Sequence, residues 1–424
     1  MTEEQRKIGR RNFMKAVATL PAVGALAYKA SSMSTVKAGI IGIGSEGGVL
    51  LENAPSSHLR ISAVCDIFPA NREKALELAR KLHDPEAVAY EDYRQLLDRR
   101  DIEAIIIATP LWSHHPIAID ALQAGKHVFC EKTMAYSADG CRKMVDAAQT
   151  ARKNLQIGHQ RAYNPLYHEA KQLIDNGVIG DVYHVRAVWH RNGDWRRPVP
   201  DVDFDPTPWG YENMEHLKNW RLYNKYSQGL MAELGSHQVQ VVNWFFGRVP
   251  KSVYGSGGIY RYKDGREVFD HVYAVYEYPG ELTLSYSSIQ SNAHDHYYEE
   301  IMGTKGTIIL RAEREAMLFM EGDAEVPTQL AVEAAKSGPI MQASESRVAD
   351  ASGSSIGDGS PSAFNSVQAY KTELEGFANT IRHGAENLCD GPTGMNAAVA
   401  ILTTNESVAR GTKIDLPEHM YYTS

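Results

Sequence analysis

Short, almost wholly apolar runs alternate with amphipathic stretches between residues 36 and 159. Residues 36–44 (VKAGIIGIG), 59–64, 102–110 (IEAIIIATP), 127–132 (HVFCEK) and 154–159 read as strands covered on both faces. Between them, 114–124 and 137–153 read as helices. This alternation predicts an α/β fold with a doubly wound parallel sheet over 34–158. The length leaves room for a further domain, expected over 159–424. No aromatic residue occurs between Met320 and Ala363, and 349–362 is rich in Ser, Gly and Asp, so about 321–363 reads as a flexible excursion. Helical periodicity resumes over 365–383, with Val367, Tyr370, Leu374, Phe377 and Ile381 on one side, as in a helix returning to the domain junction.

Residues 1–33 stand apart. Gly9-Arg10-Arg11-Asn12-Phe13-Met14-Lys15 precedes an apolar run, Ala16 to Ala27, that is shorter than the ~20 residues needed to span a bilayer. With Ala25-Leu26-Ala27 as a small-residue cleavage site, the pattern predicts a twin-arginine signal peptide and linker. It implies the twin-arginine export machinery as a partner, a periplasmic or extracellular destination and no stable membrane insertion. Because that route carries folded proteins, a cofactor inserted before export is to be sought.

Composition sharpens this picture without setting it. The 424 residues are 43% hydrophobic and 23% charged, which excludes a mainly disordered or collagenous chain. The formal net charge is −8, and removal of 1–27, with five basic and two acidic residues, would make it −11. Such acidity disfavours nucleic-acid partners. The four cysteines, Cys65, Cys130, Cys141 and Cys389, form no CxxC, so neither a disulfide scaffold nor a zinc site is indicated. Cys65 and Cys130 read as reduced core thiols.

The chemistry begins where the first strand runs into Gly42-Ile43-Gly44-Ser45-Glu46-Gly47. G-x-G-x-x-G in a strand-to-helix turn brings backbone close to a pyrophosphate and aims helix N–H groups at it. Asp66 ends the second strand nineteen residues beyond Gly47, where an acid receives ribose hydroxyls and repels a 2′-phosphate. NAD is therefore favoured over NADP; capping of the next helix is the competing role for Asp66. Lys132 ends a strand at the carboxyl edge of the sheet, where ligands bind, and a lysine desolvated beside a cationic nicotinamide would have its pKa lowered enough to take a proton. Glu131 would anchor it or touch the nicotinamide side. His237 follows Glu233 by four residues, which on a helix places both on one face, with Glu233 fixing the ring.

The order GIGSEG, Asp66, Ala108-Thr109-Pro110 with His114, Ala124-Gly125-Lys126-His127-Val128 and Glu131-Lys132 resembles the Gfo/Idh/MocA family of oxidoreductases. Arg161 with Asn164-Pro165, the glycine hairpin 177–180, the stretch from Gly229 through Glu233 and Gly235 to His237, and Glu300-Ile301-Met302-Gly303 continue the likeness over nearly the whole chain beyond the leader. The resemblance implies a Rossmann domain followed by an α+β domain with an open, largely antiparallel sheet. It implies cofactor contacts at Gly42, Gly44, Ser45, Glu46, Gly47, Asp66, Thr109, Leu111, His114, Glu131, Lys132 and Gln160, and Lys132 and His237 as the catalytic pair. Substrate contacts are expected at Arg161, Trp189, His190, Arg191, Glu233 and His237. The sequence departs from the family at Thr133, where Pro is usual, and at Glu233 and Gln240, where Asp is usual. Substrate hydroxyls would then be held differently.

Four of the six tryptophans, Trp189, Trp195, Trp209 and Trp220, fall among His190, Arg191, Asp194, Arg196 and Arg197. Such a stretch can form a carbohydrate-binding wall, or be an ordinary buried or subunit-contact region. Asn292, His294, Asp295 and His296 suit a solvated loop better than a metal site. The sequence thus predicts an NAD-dependent oxidoreductase acting on a hydroxyl of a sugar or sugar derivative. An exported enzyme would hold its cofactor tightly and recycle it between two sugars. Glycoside cleavage through transient oxidation ranks second, because hydrolytic relatives typically lack the lysine; an idle sugar-binding protein ranks third. The open sheet of the family further suggests a dimer or tetramer.

Overall fold

The computed structural model describes residues 35–321 and 366–422. The leader 1–33 and positions 322–363 of the expected excursion lie outside these. Strands β1 (Val36–Ile41), β2 (Leu59–Cys65), β3 (Val88–Tyr90), β4 (Ala104–Ile107), β5 (His127–Glu131) and β6 (Leu155–Gly158) form one parallel sheet in the order β3-β2-β1-β4-β5-β6. Every residue of β4 and β6 is buried, because helices cover both faces and leave no polar alternation to read. β3 has only three residues, none of them buried, which is too short a stretch for the sequence pattern to reveal. Strand order reverses between β1 and β4, which opens a crevice at the carboxyl edge. Gly42, Asp66, Ala108, Lys132 and His159 each follow the last residue of a strand there.

The second sheet has eight strands in the order β13-β12-β11-β7-β10-β9-β8-β14. They are β7 (Val182–His190), β8 (Ser252–Gly258), β9 (His271–Glu277), β10 (Thr283–Ile289), β11 (Tyr297–Gly303), β12 (Gly306–Arg311), β13 (Glu315–Met320) and β14 (Ile414–Asp415). Only β7 and β10 pair in parallel; the other neighbours are antiparallel, so the sheet is mixed. One face packs on the helices Ser236–Phe246 and Gly391–Arg410, whereas Tyr254, Tyr273 and Val275 remain open on the other.

Helix Ser366–His383 packs on the Rossmann domain itself. Phe377 meets Phe129 edge-on at 5.9 Å, Arg382 bonds Glu103, and Gln156 Nε2 donates 3.1 Å to the Glu373 carbonyl. Leu374 and Phe377 of the expected apolar side are fully buried. Among the described residues no helix is long and apolar enough to cross a membrane.

Candidate active site

A cleft of about 560 Å³ follows the carboxyl edge of the parallel sheet and is roofed by residues of the second domain. Its floor begins at the glycine turn. Gly42 has φ +84°, and a Cβ there would lie 2.7 Å from the Thr109 nitrogen; at Gly47 it would lie 2.0 Å from the Gly42 carbonyl oxygen. Both glycines are required by backbone packed against backbone. At Gly44 an added Cβ would meet nothing within 4 Å, and that opening faces the cleft at the start of helix Ser45–Asn53. A dinucleotide pyrophosphate fits this arrangement of a tight turn, an open side and helix N–H groups.

Asp66 also lines the cleft. Its carboxylate accepts N–H bonds from Ile43 and Phe68, each at 2.8 Å, so it braces the glycine turn while bordering the cleft. Burial nonetheless pushes its pKa upward. His114 bridges two loops: one ring nitrogen lies 2.8 Å from the Thr109 carbonyl and the other 3.0 Å from that of Thr133. Burial pushes its pKa down, and the neutral ring, which has a single N–H, donates to one of these two carbonyls at a time. Ser45, Glu46, Thr109 and Leu111 line the cleft; Gln160 is buried in the turn Gln160–Tyr163 beyond β6.

Lys132 donates from Nζ to the Glu233 carbonyl at 2.9 Å, which ties the end of β5 to the second domain. Thr133 extends the tie through Oγ1 to the Ala232 carbonyl at 2.9 Å. Glu131 accepts the Lys132 N–H on one oxygen, while its other oxygen is buried without a partner. Burial first, and the charge of Glu46 second, raise its pKa to about 8, so it is a neutral acid at pH 7.

Glu233 and His237 do not share one helix face. Glu233 lies in a π-helical turn, Met231–Gly235, that precedes helix Ser236–Phe246. The turn carries its carboxylate to Arg221 Nε at 2.7 Å rather than to the imidazole. His237 packs instead at 5.3 Å from the Trp189 ring and 6.2 Å from that of His159, and its Nδ1 is buried without a partner. Burial, then the Lys132 and Arg161 charges, hold its pKa well below 6.5. His159, absent from the sequence reading, is pushed to about 3 for the same reasons. Its place one residue past a strand end, as for Lys132, is the signal that marks it. Gln240 is buried with neither amide atom paired.

The structure separates the remaining expected substrate contacts. Trp189 stacks on Tyr297 at 4.6 Å on the face that carries His237. His190, one residue on, points to the opposite face, where its nitrogens meet Ser287 Oγ at 2.8 Å and the His294 carbonyl at 2.9 Å. It stands apart from the cleft. Arg161 is locked in the core between Glu299 and Glu313, with Nε 2.9 Å from the latter. Tyr167 donates to Glu299 as well, at 2.8 Å, and one Arg161 nitrogen is left unpaired. Arg191 lies between Trp189 and Trp195, with Cζ 5.4 and 5.7 Å from their ring centroids. Arg197, Trp209, Trp220 and Arg221 line the roof of the cleft. Among the described residues no three His, Cys, Asp or Glu side chains converge as a metal-ligand set.

The parallel sheet, the glycine turn and the roofed cleft define a two-domain dinucleotide-binding protein of the Rossmann class. A model of an oxidoreductase family with an NAD-binding Rossmann fold matches residues 36–159, and the GFO/IDH/MocA C-terminal domain matches residues 167–309. The chain belongs to the Gfo/Idh/MocA family. Inositol 2-dehydrogenase of Salmonella typhimurium is 38% identical over 199 residues, 45% of this chain and 56% of that protein. Glycosyl hydrolase family 109 protein 1 of Shewanella sp. (strain ANA-3) is 30% identical over 225 residues, 51% of this chain and 48% of that protein. The chain thus spans about half the length of the curated relatives it matches. Levoglucosan dehydrogenase, solved with NADH and levoglucosan, shares the fold at a TM-score of 0.69 and 19% identity, covering 91% of this chain and all of that one (100%). Scyllo-inositol dehydrogenase from Lactobacillus casei, solved with NAD(H) and scyllo-inositol, does so at 0.65 and 21%, covering 90% and 99%.

Proposed function

We propose that the protein is an NAD-dependent oxidoreductase acting on a hydroxyl of a sugar or sugar derivative, with its cofactor tightly held. One observation carries this reading: the glycine turn and Lys132 open onto one cleft, at the carboxyl edge of a sheet whose family binds NAD. The Gly42–Gly47 turn and Asp66 would hold the dinucleotide, which when bound supplies the acceptor for hydride from the carbinol carbon. Lys132, fixed on the Glu233 carbonyl, takes the hydroxyl proton. His237 is uncharged, so its single N–H can donate to the hydroxyl oxygen and orient it while the proton goes to Lys132. The neutral Glu131 adds no negative charge behind Lys132. The roof formed by Trp209, Tyr211 and Trp220 excludes water from the cleft and slows cofactor escape. Replacing Lys132 with Met should lower kcat about 10²-fold or more while Tm and NAD affinity stay close to wild type. Equal turnover by the variant would overturn the assignment.

Glycoside cleavage through transient oxidation is the second reading, favoured by the hydrolase-named relatives. Release of phenol from aryl glycosides, with no net cofactor reduction, would establish it. We also propose export by the twin-arginine route, from Arg10-Arg11 and the apolar run behind them. Cell fractionation after Arg10→Lys with Arg11→Lys tests this: the protein should remain in the cytoplasm.

A further inference from the structure

We propose that the sugar carries a negative charge, as a carboxylate or sulfate on the ring, and that Arg191 and Arg197 receive it. This rests on the oxidoreductase reading and names its substrate class. Positive charge outweighs negative around the Lys132 end of the cleft. Lys132, Arg197, Arg221 and Glu233 line the same cleft, and Arg191, between two tryptophans, lies within the electrostatic reach of Glu233 and Arg221. Glu233 is committed to Arg221 through its carboxylate and to Lys132 through its carbonyl. It is also the carboxylate whose field reaches both Arg191 and Arg197. Three guanidinium groups, Arg191, Arg197 and Arg221, therefore share one carboxylate.

Nearby arginines show what a merely structural role looks like. Arg196 is paired with Glu215 and Asp264, and Arg266 with Asp264 at 2.8 Å. Arg191 and Arg197 have no such pairing among the described residues. Burial lowers the pKa of both, and the like charge of Arg221 lowers it further, the signature of guanidinium groups without their own counter-ion. A guanidinium fork matches a planar carboxylate or a sulfate; Arg197 lines the cleft, and Arg191 lies against the Trp189 and Trp195 rings. A neutral polyol would leave these charges uncompensated.

The test is titration of the full protein, with saturating NAD, against two matched pairs: D-galacturonate with D-galactose, and D-glucuronate with D-glucose. Tryptophan fluorescence reports binding, and nicotinamide absorbance reports reduction. The acid of at least one pair should bind at least about ten-fold more tightly than its neutral parent, the scale of one charge-assisted hydrogen bond. Added salt should erode that preference. Arg197→Ala, on the exposed rim where folding is least at risk, and Arg191→Ala should each lower the acid-to-neutral ratio by about ten-fold. Equal binding of acid and parent overturns the proposal. So does a preference that persists in both variants while NAD affinity falls, because the arginines would then serve the cofactor phosphates. Reduction of NAD by neutral sugars alone also overturns it, yet leaves the dehydrogenase reading standing; binding and reduction by neither class remove both.

Discussion

Glu131 is held as a neutral acid between the sheet and the cleft, and this makes stability depend on pH in a definite direction. Its pKa rises from 4.5 to about 8 on folding. The favourable contribution of its proton is fully present below pH 4.5 and is lost as pH climbs through 8. Cofactor-free protein should therefore lose Tm between about pH 4.5 and 8, and Glu131→Gln, which cannot ionise, should flatten that decline. A variant that tracks the wild type would contradict the assignment. Arg161 gives a second test: Arg161→Met leaves Glu299 and Glu313 buried without their cation and should cost about 3–5 kcal/mol in chemical denaturation. Had it been a substrate contact alone, KM would change and stability would not. At this scale the sequence is a partial guide. Residue type and strand-end position mark Gly42, Asp66 and Lys132, but whether Arg161 faces a ligand or two carboxylates depends on Glu299 and Glu313, more than 130 residues away.

The strand-turn-helix opening at Gly42 is the most legible element, because its glycines are imposed by local backbone contacts. Its three positions should behave differently. Gly47→Ala drives a Cβ into the Gly42 carbonyl and should lower both Tm and NAD affinity. Gly44→Ala meets only open space in the protein, so Tm should hold while NAD binding weakens at least about ten-fold; Gly48→Ala, with equally open surroundings in the helix, should change neither. Loss of binding in Gly48→Ala, or none in Gly44→Ala, would argue against a pyrophosphate at this turn. The helix expected to align Glu233 with His237 was less legible. Glu233 itself sits in a π-helical turn ahead of the helix that carries His237, and no periodicity of single residues announces where a helix widens. His190 departs from expectation for a simpler reason: in an extended strand neighbours face opposite ways, so with Trp189 against His237 the His190 ring faces Ser287 and His294 instead.

Across the whole molecule, the doubly wound sheet was readable because buried parallel strands are nearly continuous apolar runs. The mixed sheet was not readable from pattern alone; the family resemblance supplied it. Its outer face leaves Tyr254 at 47% and Tyr273 at 49% exposure, diagonally placed on neighbouring strands with Tyr254 opposite Val275. We expect this face to pair copies of the chain, so light scattering should give a mass of two or four times 47.0 kDa, and Tyr254→Lys with Tyr273→Lys should reduce it. The four cysteines are free and buried, and all four thiols are pushed up by burial. They should resist alkylation until the chain unfolds, as suits a protein that needs no disulfide. The central claim, sugar oxidation at the Lys132 end of the cleft, is tested most directly by following nicotinamide absorbance on mixing the NAD-loaded protein with a panel of neutral and acidic sugars. The account predicts reduction of bound NAD by at least one sugar in the wild type and its loss in Lys132→Met. No reduction by any sugar, or equal reduction by the variant, would contradict it.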